Sequence, residues 1–121
     1  MEKLTILVVD DDREILGSFM HILSEQGYGV ETAETGHEAI EKCKSGSHDL
    51  ALLDINLPDM DGTQLLGQLH EMDPKMRTIM VTGDANLKGA LRSLILQANA
   101  YVLKPVDPDE LLKVIKATLN E

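Results

Sequence analysis

The chain has 121 residues, a formal net charge of −10, 43% hydrophobic and 26% charged residues, and only 2% aromatic residues with no Trp. That size and balance fit one globular domain with a single buried core, not a disordered chain. An acidic surface repels phosphate backbones, scarce aromatics leave little for base stacking, and no apolar run approaches the roughly 18 residues of a membrane span, so direct nucleic-acid binding and membrane insertion are excluded.

Met1-Glu2-Lys3 leads straight into an apolar, β-branched run at 4–9 and shows no signal peptide. That run ends in three aspartates and predicts a strand buried on both faces. Ile15, Leu16, Phe19, Ile22 and Leu23 recur at helical spacing and predict a helix closing near Gly27. Residues 28–33 are more polar, as for an edge strand. Ala39, Ile40 and Cys43 mark a second helix ending near Gly46, with Cys43 on its apolar stripe as a buried, inert thiol. A lone cysteine forms no internal disulfide, and with no export signal this predicts a reducing cytoplasm. Residues 50–53 form the next buried strand, ending at Asp54, and a turn-rich stretch follows with Pro58, Asp59, Asp61 and Gly62. Leu65, Leu66, Leu69 and Met72 line a third helix, stopped before Pro74. Residues 78–81 form a strand ending at Thr82, and Leu87, Leu91, Leu94 and Ile95 line a fourth helix. A fifth strand at 100–103 runs into Lys104-Pro105, and Leu111, Leu112, Ile115 and Leu119 mark the last helix. That helix is complete at Glu121, which fits a stand-alone domain or one cut from a longer protein. The methionines are expected as core filler.

Five strand–helix units imply an α/β domain over 1–121, a parallel sheet with helices on both faces in three α/β/α layers. The doubly wound order 2-1-3-4-5 is borrowed from flavodoxin-like folds, in which ligands bind at the carboxyl ends of the strands where the order reverses.

The polar residues converge on that edge. Asp10 and Asp11 end the first strand, Asp54 the third, Thr82 the fourth and Lys104 the fifth. At about 5 Å and an effective dielectric near 20, each pair of carboxylates costs on the order of 3 kcal/mol. A divalent cation relieves that repulsion, and hard oxygen ligands without His or Cys point to Mg²⁺, with Mn²⁺ as the alternative, rather than Zn²⁺. A carboxylate between a cation and a lysine can attack phosphorus and form an aspartyl phosphate. The cation and Lys104 would neutralise the phosphoryl oxygens, and Thr82 could donate its hydroxyl to one of them.

Plainer roles compete for each residue taken singly. Asp11 or Asp12 could cap a helix, with Glu14 completing a box for Asp11. Asp54, Asn56, Asp59 and Asp61 suit turns, and for Asp59 and Asp61 that reading is retained. Thr82 could be an ordinary strand residue, Lys104 a solvated loop lysine and Tyr101 plain core. His21, His37, His48 and His70 are scattered, and none is read as a ligand. A flavodoxin-like cofactor carrier would need a hydroxyl- and glycine-rich loop where this chain has Asp-Asp-Asp-Arg. An aspartyl phosphatase would use Asp10 as nucleophile with Asp12 as its second acid. A degenerate domain used only for binding would lack a key residue, and none is missing.

The runs Ile6-Leu7-Val8-Val9-Asp10-Asp11-Asp12, Leu53-Asp54-Ile55-Asn56-Leu57-Pro58-Asp59-Met60-Asp61-Gly62, Val81-Thr82-Gly83 and Tyr101-Val102-Leu103-Lys104-Pro105 resemble the receiver domain of bacterial two-component response regulators over essentially the whole chain. The resemblance implies phosphorylation of Asp54 by a histidine kinase or phosphotransfer protein, with autodephosphorylation as its only other chemistry. It implies an acidic pocket of Asp10 and Asp11, and Mg²⁺ held by Asp11, Asp54 and the backbone carbonyl of Asn56. It implies that Thr82 and Tyr101 couple phosphate to the fourth helix, fifth strand and fifth helix, and so to an output domain or protein partner. A cis Lys104–Pro105 peptide is usual in the family. Three departures stand out: Val106 where Phe is commoner, Gln97 where a helix-ending Gly is usual, and Ala100 and Val114 where winged-helix DNA-binding regulators carry charges that bridge a dimer. Asn56 and Asp84 occupy positions that tune the phosphorylated lifetime. At 100° per residue Leu96 lies opposite the Leu87, Leu91 and Leu94 stripe, with Arg92 beside it, so both are expected on the output face.

Overall fold

The structure is a computed structural model that describes residues 3–83 and 98–120. Its elements are β1 (Thr5–Val9), α1 (Arg13–Glu25), β2 (Gly29–Ala33), α2 (Gly36–Ser45), β3 (Leu50–Asp54), α3 (Gly62–Met72), β4 (Arg77–Thr82), β5 (Ala100–Leu103) and a C-terminal helix (Pro108–Leu119). The strands form one sheet in the order β2-β1-β3-β4-β5, with every pairing parallel. The α/β fold and strand order are those expected.

The central strands have two buried faces because their side chains alternate between two cores. Ile6, Val8, Leu50, Leu52, Ile79 and Val81 meet Leu16, Phe19 and Leu23 of α1 and Leu111 and Ile115 of the C-terminal helix. Leu7, Val9, Ala51, Leu53 and Met80 meet Ala39 of α2 and Leu65, Leu66 and Leu69 of α3. Each of the larger of these side chains contributes about 1.5–3 kcal/mol on burial, and a one-residue slip would send a strand residue to the wrong helix layer. The helix ends are set locally. Asp12, not Asp11, caps α1, accepting from the backbone N–H of Glu14 and Ile15. Gly27 follows α1 with φ +91°, a left-handed turn that favours glycine.

Several expectations are corrected. β5 is buried on one face only: Val102 is buried, whereas Tyr101 is 58% and Leu103 45% exposed, which sets aside the plain-core reading of Tyr101. Met76 and Met80 fill core, but Met20 and Met72 are each 40% exposed, since they sit at the margins of their helices' apolar stripes. Cys43 is half-buried, and burial pushes its thiol pKa up. The expected fourth helix, with Leu87, Leu91, Leu94 and Ile95, lies outside the described residues, as do Asp84, Arg92, Leu96 and Gln97.

Candidate functional site

β1 and β3 run side by side with Val9 level with Leu53, so their carboxyl ends emerge together where the strand order reverses. Asp10 follows β1 and Asp54 closes β3, and both are almost fully buried. Asp11 is exposed at the rim. One carboxylate oxygen from each of Asp10, Asp11 and Asp54 lies within 4.8 Å of the other two. Among the described residues this is the one trio of acidic, His or Cys side chains that close together.

Lys104 arrives from the far side of the sheet. Its backbone N–H donates to the Thr82 carbonyl (2.7 Å), extending the β4–β5 ladder, and a cis peptide to Pro105 then turns the chain. Its ammonium donates to Asp10 Oδ2 at 2.9 Å and lies 3.6 Å from Asp54 Oδ2. The two buried carboxylates are held unequally. Asp10 is tied at both oxygens, because its Oδ1 also accepts from the Asp12 N–H at 3.0 Å. Among the described residues, Asp54 has only a long contact from the Asn56 N–H (3.4 Å) and the 3.6 Å approach of Lys104.

Electrostatics follow that geometry. Burial, then the charge of Asp10, raises the Asp54 pKa, opposed by Lys104 and the Asn56 N–H, with Asp11 adding a smaller rise. Burial would lower the Lys104 pKa, but its hydrogen bond and charge interaction with Asp10, then its contacts with Asp54, outweigh it and leave the ammonium raised. The pocket therefore holds a permanent cation between an anchored carboxylate and a loosely held, poorly solvated one. Thr82 is buried at the end of β4, level with Leu103, while Tyr101 stands exposed two register steps back, opposite Met80.

The β3–α3 loop folds back sharply beside this pocket. The Gly62 N–H donates to the Ile55 carbonyl at 2.7 Å, and a Cβ there would lie 2.6 Å from Ile55 Cα and closer still to the Asp54 carbonyl oxygen. Asn56 and Asp61 form an antiparallel bridge at the loop base. Asp61 caps α3 in a capping box with Gln64, a role more definite than its turn reading. Asp59 reaches a different element: its two oxygens accept from the backbone N–H of Gly36 and His37 at the start of α2, both at 2.9 Å, and the His37 ring also bonds it. These contacts hold the Asp59 carboxyl at a pKa of about 2.

The family model described as the response regulator receiver domain matches residues 6–116. The chain belongs to that family. This receiver is similar to a CheY-like receiver domain protein from Methanospirillum hungatei, with 47% identity and a TM-score of 0.92 over 98% of this chain and 95% of that one. It is similar to the response regulator TrrA from Thermotoga maritima in complex with Mg²⁺-BeF, with 34% identity and a TM-score of 0.87 over 95% and 98% of the two chains. It is also 33% identical over 115 residues to the cell cycle response regulator CtrA of Brucella ovis, covering 95% of this chain and 50% of that protein. The receiver spans about half the length of the curated relatives it matches. Receivers are signalling switches of two-component systems that bind Mg²⁺ at the acidic pocket, rather than turnover enzymes. No helix among the described residues is long and apolar enough to cross a membrane.

Proposed function

We propose that residues 1–121 form one receiver domain that accepts a phosphoryl group onto Asp54 from a histidine kinase or phosphotransfer protein in a Mg²⁺-dependent reaction. The observation that carries this reading is the unequal holding of the two buried acids: Asp10 is committed at both oxygens, whereas Asp54 is loosely held within reach of Lys104. An Asp54 oxygen would form the bond to phosphorus as the bond from phosphorus to the donor breaks, and the donor leaves with that electron pair. Lys104 would shift from the carboxylates towards a phosphoryl oxygen, and Thr82 would donate its hydroxyl to another.

The donor set fits Mg²⁺: hard oxygens from Asp10, Asp11 and Asp54 within 4.8 Å of one another, with the Asn56 carbonyl on the adjoining loop. When bound, Mg²⁺ supplies charge neutralisation at the pocket and at the phosphoryl oxygens. Autodephosphorylation would return the group to water at the same pocket. Thr82 and the exposed Tyr101 are the proposed switch pair, and the face marked by Tyr101 would meet an output domain or protein partner, with Arg92 and Leu96, outside the described residues, expected from the sequence to contribute. Asp10 as a phosphatase-type nucleophile is disfavoured, since attack would first have to break two hydrogen bonds.

The test is incubation with acetyl phosphate followed by intact-mass measurement. The wild type is expected to gain one phosphoryl group, and Asp54→Ala or excess chelator to abolish the gain. Equal labelling of Asp54→Ala, or labelling that ignores chelator, would overturn the mechanism, and label on Asp10 would move it to the phosphatase class.

A further inference from the structure

The β3–α3 loop carries the Asn56 carbonyl and is closed at its base by the Asn56–Asp61 bridge and the Gly62-to-Ile55 hydrogen bond. Its tip has a separate anchorage. The first amides of a helix have no partner within it. The side chain of the α2 cap, Thr35, accepts from the Glu38 N–H, and Asp59 takes the amides of Gly36 and His37 with one oxygen each. The His37 ring adds a third contact, and the Met60 side chain packs so closely on Gly36 that a Cβ there would collide with its sulfur. The loop is thus fixed at two ends by unrelated means, base to α3 and tip to α2, and the proposed metal ligand, the Asn56 carbonyl, stands at the base on the arm of the loop that runs up to Asp59.

We propose that Asp59, supported by His37, is a positioning residue that sets the Mg²⁺ affinity of the acidic pocket by holding the β3–α3 loop against the start of α2. This rests on the proposed role of the Asn56 carbonyl as a ligand. Asp59 does not touch the carboxylate trio; it acts by restricting the loop that presents the carbonyl. Releasing the tip leaves the trio intact but lets the arm from Asp59 back to Asn56 move, so the carbonyl is presented less firmly and binding weakens, while the chemistry at Asp54 is unaltered once metal is bound.

The experiment titrates Mg²⁺ into the full chain, followed by amide shifts in ¹H–¹⁵N spectra, for wild type, Asp59→Ala and Asp59→Asn. Asp59→Ala is expected to weaken Mg²⁺ by about tenfold, the low end for losing a group that orients a ligand. Asp59→Asn keeps one acceptor oxygen for the α2 amides and should lose clearly less. Labelling by acetyl phosphate should slow in Asp59→Ala at low Mg²⁺ and return to the wild-type rate at saturating Mg²⁺, which a merely misfolded variant would not do. Equal weakening in the Ala and Asn variants would assign the effect to the lost charge alone and overturn the proposal, as would an unchanged affinity. Should Asp59→Ala unfold, His37→Ala removes the ring contact while keeping both amides, and must shift the affinity in the same direction. A wild type that binds no Mg²⁺ would instead overturn the functional reading itself.

Discussion

Neutralising Asp11 should stabilise the metal-free receiver while costing it the metal. An Asp11 oxygen lies within 4.8 Å of oxygens on both Asp10 and Asp54. Two like charges at that distance cost about 3.5 kcal/mol at an effective dielectric near 20, and about 0.9 kcal/mol in water. Asp11 is exposed, which places it towards the lower figure, and Lys104, 2.9 Å from Asp10 and 3.6 Å from Asp54, offsets part of the repulsion. The gain for Asp11→Asn is then about 0.5–2 kcal/mol. No cap is lost, because Asp12 holds the start of α1. In urea melts with chelator, an m-value of about 2 kcal/mol/M turns this into a midpoint rise of roughly 0.3–1 M. The rise should shrink in about 1 M salt, where screening acts within about 3 Å. Adding Mg²⁺ at tenfold its Kd should stabilise the wild type by about 1.4 kcal/mol and leave the variant nearly unmoved. A midpoint that falls in chelator, or a gain indifferent to salt, would refute the electrostatic account of the pocket.

The same pocket gives a pH signature at Asp54. Its folded pKa is raised from the ordinary 3.8, so the cost of charging it is present at neutral pH and absent once the pH falls below that value. Asp54→Asn should therefore stabilise the metal-free fold near neutrality, with the gain fading in melts taken down through the carboxylate range; an equal gain at both ends would contradict the raised pKa. Gly62→Ala places a methyl against the Asp54–Ile55 backbone and should cost about 1–3 kcal/mol or more in a thermal or urea melt. Gly17→Ala, in α1 with open space around its Cβ position, should instead gain about 0.5–1 kcal/mol and serves as the control.

Most of the fold was legible because two periodicities govern it. The runs at 6–9 and 50–53 are apolar at every position, as expected of strands covered on both faces, and they lie in β1 and β3. Helical spacing of Leu16, Phe19 and Leu23 gave α1 its buried stripe. The carboxylates and Lys104 were legible as a cluster because parallel topology delivers strand ends to one edge, whatever the loops do. β5 was expected as a strand and is one, but its burial does not follow from its composition as that of β1 does. Its composition is apolar throughout, but it is the edge strand next to β4, and only Val102 is buried there.

What stayed hidden were contacts that local spacing does not encode. His48, read as one of four scattered histidines, is buried with its Nε2 2.8 Å from Glu31, seventeen residues away. Asp59 was read as a turn former, and its partners at Gly36 and His37 stand on another helix. Gly62 was read as a turn glycine, although the need for it comes from the Asp54–Ile55 backbone folding over it. A turn residue's composition states that the chain bends; where the bend leans is decided by tertiary packing. In this receiver the loop beside Asp54 leans on α2 through the Asp59 carboxylate, with Met60 packed beside it. That is why the residue whose role was least legible, Asp59, is the one whose removal is expected to change metal affinity without touching the carboxylates that bind it.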